Sequence, residues 1–140
     1  VAETLELAPG MADQRVSELL EEFGIAGLRR HLAYTLSGGE RRRLEIARSM
    51  MIRPSFILLD EPLAGIDPLA VQEIQRIVKD LKSKNIGVLI TDHNVRETLK
   101  ITDRAYIIND GMIFRIGTPD VLSSDEQVRK VYLGENFKLY

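Results

Sequence analysis

Apolar residues recur at Val16, Leu19, Leu20 and Phe23, the i, i+3, i+4, i+7 spacing of a helix with one buried face, shortly after Pro9-Gly10. Gly24 follows as the residue that ends this helix, because glycine enters the left-handed conformation without a Cβ penalty. A second helix is predicted from Ser37, where Ser37-Gly38-Gly39-Glu40 fits a capping box, with Leu44, Ala47 and Met51 as the inward stripe up to Pro54. From Ser55 the texture changes. Short apolar runs at residues 56–59, 88–90 and 105–108 alternate with helical periods, the pattern of a parallel sheet with crossover helices. Between the first two runs, Asp67-Pro68 caps a helix whose apolar face is Val71, Ile74, Ile77, Val78 and Leu81. Val95 and Leu99 lie one turn apart in a shorter helix after His93. Asp110-Gly111 reads as a tight turn into residues 112–116, an antiparallel edge hairpin. Thr118-Pro119 and Ser124-x-x-Gln127 predict two short terminal helices carrying Val121, Leu122, Val128, Val131 and Tyr132.

Composition narrows the class of protein. With 44% hydrophobic and 29% charged residues, a chain of 140 residues can bury a real core as one domain of ordinary size. The net charge, 19 − 21 = −2, gives no bulk attraction to nucleic acid, and no nucleic-acid partner is expected. Zero cysteines exclude a disulfide framework and thiolate zinc sites, and two histidines are too few for a histidine-rich metal centre. No apolar run approaches the roughly 18 residues that would span a bilayer. The start Val1-Ala2-Glu3-Thr4 lacks a basic segment, so neither a signal peptide nor a native start is expected, and the chain reads as a cytosolic piece of something longer.

In open parallel sheets, ligands bind at the carboxyl ends of strands, where loops converge and helix N-termini point their positive ends. Asp60, Glu61 and His93 all fall at predicted strand ends. An Asp-Glu pair there suits nucleotide chemistry: one carboxylate holds magnesium through water and the next orients or deprotonates the attacking water. Either acid could instead merely cap the helix that follows. Ser37-Gly38-Gly39 could let backbone amides approach a phosphate, or be an ordinary cap. Arg41-Arg42-Arg43 could steer nucleotide or bind a partner, but reads first as a solvated charged face, and His31 reads as a surface histidine. His93 could hydrogen-bond a terminal phosphate or be structural.

The combination is more specific than its parts. Leu36-Ser37-Gly38-Gly39-Glu40, then Phe56-Ile57-Leu58-Leu59-Asp60-Glu61-Pro62, then Ala64-Gly65-Ile66-Asp67, then His93, resembles the nucleotide-binding subunits of ABC transporters. These look like that family's signature motif, Walker B strand with catalytic glutamate, D-loop and switch histidine. No G-x-x-x-x-G-K-[ST] run is present, and the family's glutamine loop and adenine-stacking aromatic are not identifiable. The resemblance therefore implies a truncated α/β P-loop NTPase (ABC ATPase) domain, a parallel sheet with flanking helices plus part of the helical subdomain. Residues 1–54 would be the remainder of the helical subdomain with the signature motif, and residues 55–140 the C-terminal part of the ATPase core. Without the Walker A loop this chain alone is expected to be inactive.

Within the family, the stretch Thr91-Asp92-His93-Asn94-Val95-Arg96-Glu97-Thr98-Leu99, the ending Val131-Tyr132-Leu133-Gly134-Glu135-Asn136-Phe137 and Glu22-Phe23 resemble the ATPases of Gram-negative lipopolysaccharide export. Branched-chain amino acid importers share the Tyr-Leu-Gly-Glu ending. By resemblance, the cofactors are ATP and Mg2+, and two subunits would form a homodimer on two transmembrane subunits at the cytoplasmic face of the inner membrane, with no direct contact to the transported lipid. Ser37, Gly38 and Gly39 would contact a phosphate held by the other subunit, with Glu40 supporting the loop. Asp60 would hold magnesium through water, Glu61 would be the general base, His93 would contact the γ-phosphate, and Asp67 would couple the two sites. A branched-chain amino acid importer, a soluble ABC-type ATPase of translation or DNA repair, and a non-enzymatic binding module are the rivals. The apolar groups of the tail at residues 131–140 read either as a docking surface for membrane subunits or as packing on their own domain or on the twin subunit.

Overall fold

The computed structural model describes residues 10–134 and 137–139, so expectations for Pro9, Glu135, Asn136 and Tyr140 lie outside the described residues. The chain forms two compact units, Val1–Thr91 and Asp92–Tyr140. The helices on either side of Pro54, at Gly38–Ser49 and Pro68–Ser83, pack together within the first unit.

In the first unit, α1 (Met11–Glu22) ends as its sequence requires. Gly24 adopts φ +64°, and its N–H reaches Glu21 O at 3.0 Å while the Ile25 N–H reaches Leu20 O at 2.8 Å. This is the Schellman pattern, sealed by the burial of Ile25. Helix α2 (Gly38–Ser49) starts at the Ser37 cap and buries Ile46 and Ala47, then a 3-10 turn (Met50–Ile52) buries Met50 and Met51. Strand β1 (Phe56–Asp60) pairs in parallel with β2 (Gly87–Thr91), Ile57 opposite Val88 and Asp60 opposite Thr91. The crossover between them is α3 (Pro68–Ser83), started by Asp67, whose Oδ1 accepts from the N–H groups of Leu69 and Ala70 at 3.0 Å each. Val71, Ile74, Ile77, Val78 and Leu81 are all buried. The parallel pair is not covered on both faces as such sheets usually are: Ile57 is buried, whereas Phe56, Leu58 and Leu89 are exposed.

The second unit holds α4 (Val95–Leu99), the hairpin β3 (Ala105–Asn109) and β4 (Met112–Gly117), α5 (Pro119–Ser124) and α6 (Glu126–Val128), followed by a π turn (Arg129–Leu133). Residues 105–108 pair antiparallel with β4, the hairpin expected from Asp110-Gly111. The cause is local: Asp110 and Gly111 both have positive φ, +50° and +74°, the turn that folds two adjacent strands back on each other. The last cap also shifts by one residue. Asp125, not Ser124, starts α6, because its carboxylate accepts two N–H groups, from Gln127 at 2.8 Å and Val128 at 2.9 Å. The core joins Leu99, Ile107, Leu122, Val128 and Leu139, with Leu133 and Phe137 packed on it. Of the apolar residues expected in the terminal helices, Leu122 and Val128 are buried and Val121, Val131 and Tyr132 are exposed. Leu139 of the tail is thus used in its own unit, and Arg96 lies 5.4 Å from the Phe137 ring centroid.

Helices α2 and α3 meet at their first turns. A Cβ on Gly39 would lie 2.6 Å from the Ala70 Cβ, closer than carbon atoms approach. Gly39→Ala should therefore destabilise the fold by about 1–3 kcal/mol in urea unfolding, although alanine is the better helix former. A midpoint at or above wild type would mean that the two helices are not held this close.

Candidate functional site

Ser37 and Gly38 stand exposed at the start of α2, while Gly39 is buried against α3. The capping box is complete: Glu40 Oε2 accepts from Ser37 N–H at 2.8 Å, and Ser37 Oγ accepts from Glu40 N–H at 3.3 Å. Gly38 faces the loop before α3, where a Cβ would meet Ile66 Cγ2 at 3.2 Å. The signature-like segment and the segment ending in Asp67 therefore adjoin. Asp67 already serves as the α3 cap through Oδ1. Gly39 has a packing reason for being glycine, whereas Gly38 presents its backbone to solvent at the positive end of a helix 12 residues long.

At the end of β1, the Thr91 hydroxyl donates to Asp60 Oδ1, joining the two parallel strands through their last side chains. Asp60 is exposed. An exposed hard-oxygen donor at a strand end fits magnesium held through water, a mode that needs no cluster of protein ligands. No group of three or more His, Asp or Glu side chains placed to hold a metal occurs among the described residues.

Glu61 has φ +46°, a left-handed conformation uncommon for a residue with a side chain. Holding it there costs roughly 1–3 kcal/mol, offset by contacts at both ends of the residue. Its N–H donates to Thr91 O at 2.7 Å. Its carbonyl accepts from Ala64 N–H at 3.2 Å and from Arg42 Nη2 at 3.1 Å. Arg42 also pairs with Glu45 at 2.8 Å, and Arg43 pairs with Glu73 at 2.8 Å. The arginine triplet is thus not a uniformly solvated face. Arg41 is exposed, but Arg42 and Arg43 keep only 28% and 16% of their side-chain surface. Arg42 is the site residue that sequence reasoning missed, and a charge triplet carries no signal for which member turns inward.

His93 belongs to the second unit, with its side chain 70% exposed. The neighbouring Asp92 side chain is fully buried, and its Oδ1 accepts from Asn94 N–H at 2.8 Å and lies 3.9 Å from His93 Nδ1. A buried carboxylate fixed in this way shapes the loop that presents the imidazole.

A glycine-opened helix start, an Asp-Glu strand end and a capped crossover helix in one α/β unit define a nucleotide-site class of protein. Comparison narrows it. The family described as ABC transporter matches residues 1–64. The chain is 54% identical over 134 residues to the lipopolysaccharide export system ATP-binding protein LptB of Haemophilus influenzae, covering 96% of this chain and 56% of that protein. It is 54% identical over 139 residues to LptB of Acidithiobacillus ferridurans, covering 99% of this chain and 58% of that protein. The ADP conformation of MJ1267, an ATP-binding cassette of an ABC transporter, superposes with a TM-score of 0.80 at 32% identity, covering 92% of this chain and 52% of that one. CbiO1 of Clostridium perfringens, part of the ABC transporter complex cbiONQ, gives 0.79 at 30% identity, covering 96% of this chain and 54% of that one. The chain is thus similar, along nearly all of its length, to ATP-binding proteins of ABC transporters, and it has the α/β fold of those solved structures. It spans little more than half the length of the curated relatives it matches.

Ser37 sets the charge state of this corner. Its backbone N–H, and then its side chain, hold the Glu40 carboxyl below the ordinary glutamate value of 4.5, with Arg43 and His31 adding to the effect against partial desolvation. A depressed folded value means that the unfolded chain binds the proton more readily. The stabilisation is therefore present above pH 4.5 and lost as pH falls through the lower folded value. Acidification from neutrality to about pH 3 should destabilise the wild type more than Glu40→Gln in paired urea titrations. Equal acid sensitivity would remove Glu40 from the cap's energetics.

Proposed function

We propose that the full-length protein is the ATP-hydrolysing subunit of an ABC transporter that powers lipopolysaccharide export. The observation that carries this reading is identity of 52–54% to LptB proteins across 96–99% of the chain. Residues 1–54 are the remainder of the helical subdomain and residues 55–140 the C-terminal part of the ATPase core. The exposed face of Phe56, Leu58 and Leu89 fits a sheet that the rest of such a core covers.

In this reading two subunits pair, and Ser37 and Gly38 offer their backbone at the α2 start to a phosphate held by the partner, with Gly39 seating that turn on α3. Glu40 keeps the loop in shape, and Asp67 couples the two sites from the first turn of α3. Magnesium bound with ATP supplies charge neutralisation at the phosphates, and Asp60 is the residue that would hold it through water. Glu61 takes the proton of the attacking water. His93 hydrogen-bonds the terminal phosphate. No helix of the described residues is long and apolar enough to cross a membrane, which fits a subunit that reaches the cytoplasmic face of the inner membrane by docking on two transmembrane subunits.

In the full-length subunit, Glu61→Gln should keep ATP binding while turnover falls by about 100-fold or more, since the amide keeps the shape and removes the base. His93→Ala should lower kcat more than affinity, because one phosphate hydrogen bond positions more than it binds. Near-normal turnover of Glu61→Gln would end the general-base assignment, and equal losses for His93→Ala would make the histidine structural.

Cargo is read out separately. The full-length protein should co-purify from membranes with the two transmembrane subunits of the exporter, and its depletion should make lipopolysaccharide accumulate in the inner membrane. Co-purification with branched-chain amino acid permeases, with lipopolysaccharide transport unaffected, would move the assignment to an importer and leave the ATPase reading standing.

A further inference from the structure

We infer that Arg42 is a positioning residue for Glu61: its guanidinium holds the Glu61 carbonyl and so keeps the strained backbone that aims the carboxylate. The inference rests on the general-base reading of Glu61 and deepens it.

Three observations carry it. Glu61 has a positive φ, +46°, so a small backbone relaxation toward the ordinary region would swing its side chain away from the strand end. The residue is clamped rather than merely placed: Thr91 O takes its N–H at 2.7 Å, and Arg42 Nη2 donates to its carbonyl at 3.1 Å. Arg42 is itself held, because Nη1 bonds Glu45 Oε2 at 2.8 Å on the same helix, one turn on. The planar fork thus reaches a carboxylate with one nitrogen and a backbone carbonyl with the other, a geometry lysine cannot reproduce. Arg42 lies two residues past the capping-box glutamate, so the helix that offers the signature-like turn also fixes the backbone of the proposed base. A shift of α2 would be felt at Glu61 through this contact.

The test uses the full-length subunit and reads kcat, KM for ATP and melting temperature for Arg42→Met, Glu45→Gln, Glu61→Gln and the Arg42→Met/Glu61→Gln pair. Arg42→Met should lower kcat by about 10- to 100-fold, the rate equivalent of a charged hydrogen bond, with KM within about twofold. Glu45→Gln removes the charge but keeps an oxygen that can accept from Arg42 Nη1, so its loss in kcat should be smaller than that of Arg42→Met. In the Glu61→Gln background, loss of Arg42 should add less than about threefold, because there is no base left to aim. A wild-type kcat for Arg42→Met, or a multiplicative loss in the pair, overturns the positioning role while the Glu61→Gln deficit stands. Normal turnover of Glu61→Gln itself overturns the general-base reading and this inference with it. If Arg42→Met melts far below wild type, Arg42→Lys decides. A folded lysine variant should lose at least about fivefold in kcat, and an unchanged kcat overturns the proposal.

Discussion

The first unit is organised around the absence of one side chain. With Gly39 seated on Ala70, the first turns of α2 and α3 pack closer than any Cβ would allow, and the other features of the corner follow from that approach. Ser37 can cap α2 while Gly38 faces Ile66 of the loop before α3. Asp67 caps α3 beside it, so two positive helix ends open in the same neighbourhood. Arg42, just over one turn into α2, then lies within reach of the turn that leaves β1. Widening the α2–α3 gap would move the capping box and the Glu61 clamp together, so stability and geometry at this corner are one quantity.

Much of this is written locally in the chain, and those parts are legible. Asp67-Pro68 combines a side-chain acceptor with a pre-set φ, and all five residues assigned to the apolar face of α3 are buried. Gly24 ends α1 because the Schellman turn needs a left-handed residue there, and Asp110-Gly111 turns because both positions need positive φ. The motif positions of the candidate site are legible for the same reason, since each sits at a strand end or helix start marked by its own neighbours.

What was not legible depends on distance. Arg41, Arg42 and Arg43 look alike in sequence, and their partners Glu61 and Glu73 lie 19 and 30 residues on. Which of them turns inward is decided by the crossing of α2 over α3, not by the triplet. The terminal helices are too short for periodicity to choose a face, which is why Leu122 is buried and the adjacent Val121 is not.

Backbone strain separates the proposed base from its surroundings more sharply than burial or charge does. Among the described residues, four without glycine's freedom have positive φ: Arg53, Glu61, Asn85 and Asp110. Asp110 is in a hairpin turn that demands it, Asn85 is a residue type that tolerates it, and Arg53 is the left-handed residue that ends a 3-10 turn. Glu61 has no such local reason. It occupies the first position of a turn closed by Ala64 N–H, and the first position places no demand on φ. Strain without a local cause must be maintained by contacts that arrive from elsewhere in the fold, and here they arrive from the end of β2 and from α2. A carboxylate whose direction is set by two other elements is one whose direction those elements can change, and that links the packing of this unit to the chemistry proposed for it.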